Sequence, residues 1–190
     1  IGAVNTLVWK AAPAAREGAA PLARNSQIHA LNSDYAGALD ALVSAWNGQR
    51  QDLAGQCVAV LGAGGAARAI VAALAAYGAT VIVYNRTLAK AEALAGEFDG
   101  RSGPVAAAAW ETLHDSSADI VINCTPLGMH PKIDASPLDF DPAWTPDTVV
   151  FDTVYNPLMT RFLQTAQRKH ARLVTGLEMF VRQAAIQFEA

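Results

Sequence analysis

The stretch that decides the fold is Cys57-Val58-Ala59-Val60-Leu61-Gly62-Ala63-Gly64-Gly65, followed by the alanine-rich run Ala66 to Tyr77, a second apolar run Thr80 to Tyr84, and Asn85-Arg86-Thr87. A short apolar run that ends in a glycine-rich turn and opens a helix reads as the first unit of a parallel strand–helix–strand fold. In such a unit the first glycine makes the turn and the second lets the backbone approach a pyrophosphate. The third position needs a small residue so that helix and strand can pack. Here the three positions are Gly62, Gly64 and Ala67. The helix N-terminus adds N–H groups and the positive end of a dipole. The stretch predicts a dinucleotide site on Gly62, Ala63, Gly64, Gly65 and Ala66, with an ordinary scaffold turn as the alternative.

The end of the second strand narrows the ligand. A site for NAD places Asp or Glu about 20 residues beyond the fingerprint to hold the ribose 2′-hydroxyl. A 2′-phosphate would be repelled by that carboxylate and is held by basic groups. The sequence reads Asn85, Arg86 and Thr87 there, with Lys90 one turn on, which is a pattern for NADP. The competing reading is that Asn85 and Thr87 cap a helix whose Arg86 and Lys90 are solvated.

Working outward, strand-like and helix-like runs alternate: strand 57–61, helix 66–77, strand 80–84, helix 88–98, a weaker strand 105–108, and strands 119–124 and 149–154. Helix 159–168, strand 172–174 and an amphipathic helix 177–188 follow. This predicts an α/β fold, a doubly wound Rossmann-like parallel sheet with helices on both faces. Upstream, Ala3 to Lys10 and Gln27 to Leu31 read as partner strands of a hairpin around a mobile loop, Ala11 to Ser26. Asn32-Ser33-Asp34 offers several caps for a helix over 34–46, which Asn47-Gly48 closes and a polar stretch to Gly55 links onward. Asn123 to Met129 leaves the C-terminal end of a buried strand, where open α/β sheets bind ligands, so Thr125 is a candidate cofactor contact. A strand-ending turn made by Pro126 and Gly128 is the alternative.

Of the 190 residues, 52% are apolar, enough for a buried core, and no apolar run reaches the roughly 20 residues of a membrane span. A formal charge of −3 with scattered Lys and Arg leaves no footprint for nucleic acid. Cys57 and Cys124 lie in apolar runs, and two cysteines make neither a disulfide framework nor a metal site, so a reducing, cytoplasmic setting is expected. No secretory leader is visible, and the chain starts at Ile1 in a strand-like run, as though cut from something longer. His130 is the one histidine with a candidate role, as a proton donor or as a loop residue at a cleft rim.

Seven ordered motifs carry a family likeness: AVNT (3–6), NSD (32–34), GAGGAARA (62–69), NRT (85–87), NCTPLGM (123–129), FDTVYNP (151–157) and GLEMFVRQA (176–184). Through them the chain resembles shikimate dehydrogenase over nearly its whole length. The resemblance implies NADP-dependent reduction of 3-dehydroshikimate to shikimate on the way to aromatic amino acids. It assigns Thr153 and Gly176 to the cofactor and places Met179 near the nicotinamide. Asn5, Asp34, Tyr155 and Gln183 would contact the substrate, and Asp34 is also half of a catalytic lysine–aspartate pair. For Asp34 the residues themselves leave helix capping open.

The lysine of that pair lies upstream of AVNT in the family, and no lysine here matches its motif. The N-terminal serines that hold the substrate carboxylate are absent as well, and Ser33 stands where the family has Thr. Expected domains are residues 1–33, a remnant of an N-terminal α/β substrate domain; 34–175, the cofactor domain with its linker helix; and 176–190, a helix returning to the substrate domain. A homodimer, and other shikimate-pathway domains on the same polypeptide, are compatible with the resemblance. A non-enzymatic module sensing NADP or a metabolite, and a quinate dehydrogenase, are the other readings.

Overall fold

A computed structural model of the chain describes residues 4–10, 27–45, 47–98 and 100–189. The expected loop 11–26, Ala3 and Trp46 lie outside the described residues. Two strands, β1 (Thr6–Lys10) and β2 (Gln27–Leu31), pair antiparallel with Thr6 opposite Leu31 and Lys10 opposite Gln27. Helix α1 (Ser33–Ser44) follows, and a short 3₁₀ turn (Arg50–Leu53) leads into the main sheet.

That sheet runs through β3 (Cys57–Leu61), β4 (Thr80–Asn85), β5 (Val105–Ala109), β6 (Ile120–Asn123), β7 (Val149–Asp152) and β8 (Arg172–Val174). The strand order is β5-β4-β3-β6-β7-β8, and every pairing in it is parallel. The order reverses between β3 and β6, so the topological switch point, where such sheets open a crevice at their carboxyl ends, lies directly beyond Leu61 and Asn123. The doubly wound Rossmann-like architecture is therefore present.

The strands read as continuous apolar runs because both faces are covered. Val58, Val60, Ile120, Ile122 and Phe151 join one core layer with Leu39, Leu42, Ile70 and Leu74; the alternate residues Ala59, Leu61, Val121 and Val150 join the other with Phe162 and Leu163. On the first face lie α1, α2 (Gly65–Ala76) and α3 (Leu88–Gly96). In α2 the residues from Ala69 to Ala75 are all buried, and so many alanines let the helix axis lie close to the strands. The second face holds α4 (Arg161–Arg168) and has fewer helices than alternation predicts. The crossover from β5 to β6 is a 3₁₀ segment, Trp110–Asp115, and that from β6 to β7 carries no helix. Leu138, Phe140 and Trp144 of that irregular segment cover the sheet instead, Trp144 edge-on to Phe162 at 5.4 Å.

The last helix, α5 (Gly176–Glu189), packs along α1. A Cβ at Gly37 would fall 2.7 Å from Gln183 Cγ and 3.2 Å from the Met179 carbonyl oxygen, so glycine sets this approach. Among the described residues no helix is long and apolar enough to cross a membrane, and no group of His, Cys, Asp and Glu could hold a metal.

Candidate active site

The glycine-rich turn sits at the carboxyl end of β3. Gly62 has φ +110°, a conformation that favours glycine, and a Cβ there would meet the Cys124 carbonyl oxygen at 3.1 Å and Thr125 Cγ2 at 3.2 Å. Its N–H donates to the Tyr84 carbonyl at 2.7 Å, which ties the turn to β4. Gly64 and Gly65 differ: both are exposed, and nothing lies within 4 Å of where their Cβ atoms would be. Gly64 is the N-cap of α2 and no side chain caps that end. The open space over Gly64 and Gly65 and the uncapped first turn fit an anionic group brought against the backbone. Behind them Ala63 and Ala66 are half-buried and Ala67 is buried, the tight helix-to-strand packing expected of the third position.

At the end of β4, Arg86, Thr87 and Lys90 are exposed. Thr87 is the N-cap of α3, yet its side chain makes no capping bond; Asn85 Nδ2 donates to the Thr87 carbonyl at 2.8 Å. Asn85 and Arg86 line an open cleft of about 430 Å³ whose other walls include Thr125, Pro126 and Trp110. The phosphate turn, the basic corner and the loop after β6 thus share one edge of the sheet. No Asp or Glu stands at the end of β4, where Arg86 offers the positive charge that a 2′-phosphate requires, although Asp139 also lines the cleft.

A buried polar network supports this edge from below. Asn123 and Asp152, both fully buried, end the adjacent strands β6 and β7. Asn123 Nδ2 donates to Asp152 Oδ1 at 2.9 Å, while its Oδ1 accepts from Thr125 N at 2.9 Å and Thr125 Oγ1 at 2.7 Å. Asp152 Oδ1 also accepts from Val154 N at 3.0 Å, and its Oδ2 accepts from Thr160 Oγ1 at 2.6 Å. Thr153 Oγ1 donates to the Asn123 carbonyl at 2.9 Å. Burial pushes the Asp152 carboxyl up to about 6, against the lowering effect of its hydrogen bonds to Thr160, Val154 and Asn123.

The second cluster gathers around Asp34. The alternative that Asp34 caps α1 is overturned: Asn32 is the N-cap, its Oδ1 accepting from Tyr35 N at 3.2 Å. Asp34 lies in the first turn, half-buried, with its carboxylate turned toward other elements. Oδ1 accepts from Asn5 Nδ2 at 2.8 Å and from Gln183 Nε2 on α5. Asn5 is itself fixed, its Oδ1 accepting from Ser33 N at 2.9 Å and Ser33 Oγ at 3.2 Å, and Gln187 Nε2 donates to Ser33 Oγ at 2.9 Å. Burial raises the Asp34 pKa above the ordinary aspartate value, and the bonds from Asn5 and Gln183 pull the other way. Burial likewise pushes the Cys124 thiol up, with the charges of Asp152 and Asp34 adding to it.

The structure therefore brings together Asn5, Asp34 and Gln183 as one group, and Gly62, Gly64, Gly65, Asn85, Arg86 and Thr125 as another along one edge. Gly176 opens α5, where a Cβ would fall 2.5 Å from the Val154 carbonyl oxygen and 2.6 Å from that of Thr153; this close approach seats α5 on the β7 loop. Tyr155 is exposed and stacked on Phe180 of α5, with ring centroids 5.1 Å apart. Met179, 5% exposed, joins the first core layer. His130 is exposed beside the β6 loop, its N–H bonded to the Asn156 carbonyl. Asp152, Asn123 and Trp110 are site residues that the motifs alone do not single out; the sequence signal for Asp152 is an aspartate ending an apolar strand run, Val149-Val150-Phe151-Asp152.

The family described as shikimate / quinate 5-dehydrogenase matches residues 45–134 of the chain. Shikimate dehydrogenase (NADP(+)) of Methanosarcina barkeri is 37% identical over 193 residues, covering 100% of this chain and 62% of that protein. The solved structure of shikimate 5-dehydrogenase from Thermus thermophilus in complex with NADP(H) and shikimate superposes with a TM-score of 0.70 at 37% identity, over 86% of this chain and 57% of that one. A chorismate mutase/shikimate 5-dehydrogenase fusion protein from Clostridium acetobutylicum gives a TM-score of 0.71 at 33% identity, over 99% and 60% of the two chains. The chain thus spans about three fifths of the length of these relatives. With the strand order, the glycine turn and this likeness in agreement, the chain belongs to the shikimate dehydrogenase family.

Proposed function

We propose that the protein of which this chain forms part is an NADP-dependent oxidoreductase that interconverts 3-dehydroshikimate and shikimate. The observation that carries this reading is the convergence of Asn5, Asp34 and Gln183, drawn from 29 and 149 residues apart in sequence, with α5, which carries Gln183, seated at Gly176 against the loop after β7. Gly62 to Ala66 would hold the pyrophosphate, Asn85, Arg86, Thr87 and Lys90 the 2′-phosphate end, and Thr125, Thr153, Gly176 and Met179 the remainder of the cofactor. When bound, the cofactor supplies or accepts a hydride.

On the substrate side, Asn5 and Gln183 hold Oδ1 of Asp34 and so orient the carboxyl group toward the substrate's hydroxyls. Its raised pKa moves it toward the range in which a carboxyl can both give and take a proton. Tyr155 would complete the substrate contacts. The partners of Asp34 among the described residues are neutral amides, so the cation that shares its proton is assigned to the part of the longer relatives that this chain does not span. In the same reading, residues before Asp34 belong to the substrate unit, 34–175 to the cofactor unit, and α5 returns to the substrate side. Sibling enzymes of the same pathway on one polypeptide, a homodimer and a cytoplasmic setting go with this reading.

Calorimetric titration of this chain should show NADP bound more tightly than NAD, with very little shikimate oxidation by the chain alone and robust oxidation by the intact protein. A folded sample that binds no NADP would overturn the cofactor assignment. Robust oxidation by this chain alone would overturn the assignment of the missing cation.

A further inference from the structure

Trp110 is a residue for which neither the phosphate turn nor the Asp34 cluster has a use. It follows Ala109, the last residue of β5, and Ala109 pairs with Asn85 at the end of β4. Trp110 and Arg86 therefore leave adjacent strand ends side by side, and both line the cleft that Thr125 and Pro126 close from the β6 side. The indole is half-buried, packed against the core layer that includes Tyr84 and Leu113. One part of the ring is thus anchored on the core while another faces the cleft. A large flat apolar surface and a guanidinium on one cleft of about 430 Å³, which Asp139 also lines, suit a planar aromatic group bearing a phosphate.

We infer that Trp110 is the purine-binding wall of this cleft: the adenine ring of a bound nucleotide stacks on its indole, while Arg86 beside it reads the ribose 2′-phosphate. This rests on the dinucleotide reading of the site and adds a division of labour to it. Arg86 responds to charge and so separates phosphorylated from unphosphorylated ribose. Trp110 responds to the base and is indifferent to that phosphate. Stacking of a base on an aromatic side chain is strong enough that its loss changes affinity about tenfold or more.

The test uses this chain with adenosine 2′,5′-bisphosphate and adenosine 5′-monophosphate, which carry the purine without a nicotinamide. Trp110→Leu keeps apolar bulk against the core and removes the aromatic face; it should weaken both ligands by the same factor, about tenfold. Trp110→Phe should keep most of the affinity for both. Arg86→Ala should weaken the bisphosphate alone. In the wild-type chain the bisphosphate should quench tryptophan fluorescence, and in Trp110→Phe it should bind with that quenching lost. Equal affinity of Trp110→Leu and wild type for both ligands, or quenching that survives in Trp110→Phe, overturns the inference and leaves the cofactor reading standing. A folded wild-type chain that binds neither ligand nor NADP overturns both.

Discussion

Replacing Asp152 by Asn isolates a buried charge whose energetic sign can be worked out. The carboxylate is fully buried and accepts three hydrogen bonds, from Asn123, Val154 and Thr160. Even so, its pKa is raised from 3.8 to about 6, so loss of hydration outweighs those bonds. Raising a carboxyl pKa means that the folded chain holds the proton more tightly than the unfolded one. Between 3.8 and about 6 the native state binds more protons, and stability falls as pH rises through that window. Below it the carboxyl is neutral in both states and costs nothing; above it the whole cost of the buried charge is present. At 1.36 kcal/mol per pH unit, that cost is roughly 3 kcal/mol at neutral pH.

Asn has nearly the same shape. Its amide oxygen can still accept from Asn123 and Val154, and its NH₂ can donate to Thr160 Oγ1 once that hydroxyl proton turns away. Allowing about 1 to 1.5 kcal/mol for the rearranged bond, Asp152→Asn should be more stable than wild type by about 1 to 2 kcal/mol at pH 7.5 and no more stable at pH 4. Urea unfolding followed by far-ultraviolet circular dichroism, at half-unit pH steps, measures the difference between the two chains and cancels carboxylates common to both. A difference that does not vary with pH, or one that turns increasingly against the variant as pH rises, would refute the reasoning.

Other perturbations separate the two halves of the site. Arg86→Ala should weaken NADP by tenfold to a hundredfold and leave NAD nearly unchanged by calorimetry, because the lost interaction is a charge-assisted bond to the 2′-phosphate. In the intact protein, Asp34→Asn should lower turnover by a factor of about 10² to 10⁴ with NADP affinity within twofold, since proton transfer is lost and cofactor contacts are not. Unchanged turnover would reduce Asp34 to a structural residue of α1. Gly37→Ala would place a Cβ 2.7 Å from Gln183 Cγ and 3.3 Å from Gln183 N, so α5 must give way. Thermal unfolding should show a loss of about 1 to 3 kcal/mol. Carboxyl NMR should show the Asp34 pKa rise further, as the bond from Gln183 that lowers it is loosened.

The parts of the fold that were legible in sequence share a physical cause. Strands buried on both faces must be apolar at every position, so β3, β4, β6 and β7 stood out as runs, and Gly62 marked a backbone that only glycine readily adopts. The hairpin strands differ in lacking that cover: Ile28, His29, Ala30 and Leu31 of β2 are all exposed, as is Leu7 of β1. The 3₁₀ segments Arg50–Leu53 and Trp110–Asp115 are too short to build a period, and they passed as links. Three adjacent capping residues competed for α1, and sequence alone could not say that Asn32 would cap while Asp34 faced another helix. Nor could it say that Met179, placed near a cofactor by resemblance, is buried in the core, or that Asp152 would end among Asn123, Val154 and Thr160. Those facts belong to contacts between distant segments.

The two halves of the site are joined by close approaches of backbone more than by side-chain bonds. Gly62 lies against Cys124 and Thr125; Asn123 and Asp152 tie that loop to the end of β7; Gly176 lies against Thr153 and Val154; and Gly37 lies against Gln183 and Met179. These contacts form a continuous path from the phosphate turn, across two strand ends and along α5, to the amide that holds Asp34. At Gly176 a methyl group would have to displace backbone at 2.5 Å, and at Gly62 and Gly37 it would press on backbone oxygens at 3.1 and 3.2 Å, which packed interiors resist. The separation between the basic corner and the Asp34 carboxylate is therefore set by sterics within this chain. In the proposed reading, a substrate beside Asp34 therefore meets a cofactor across a span that this chain has already fixed.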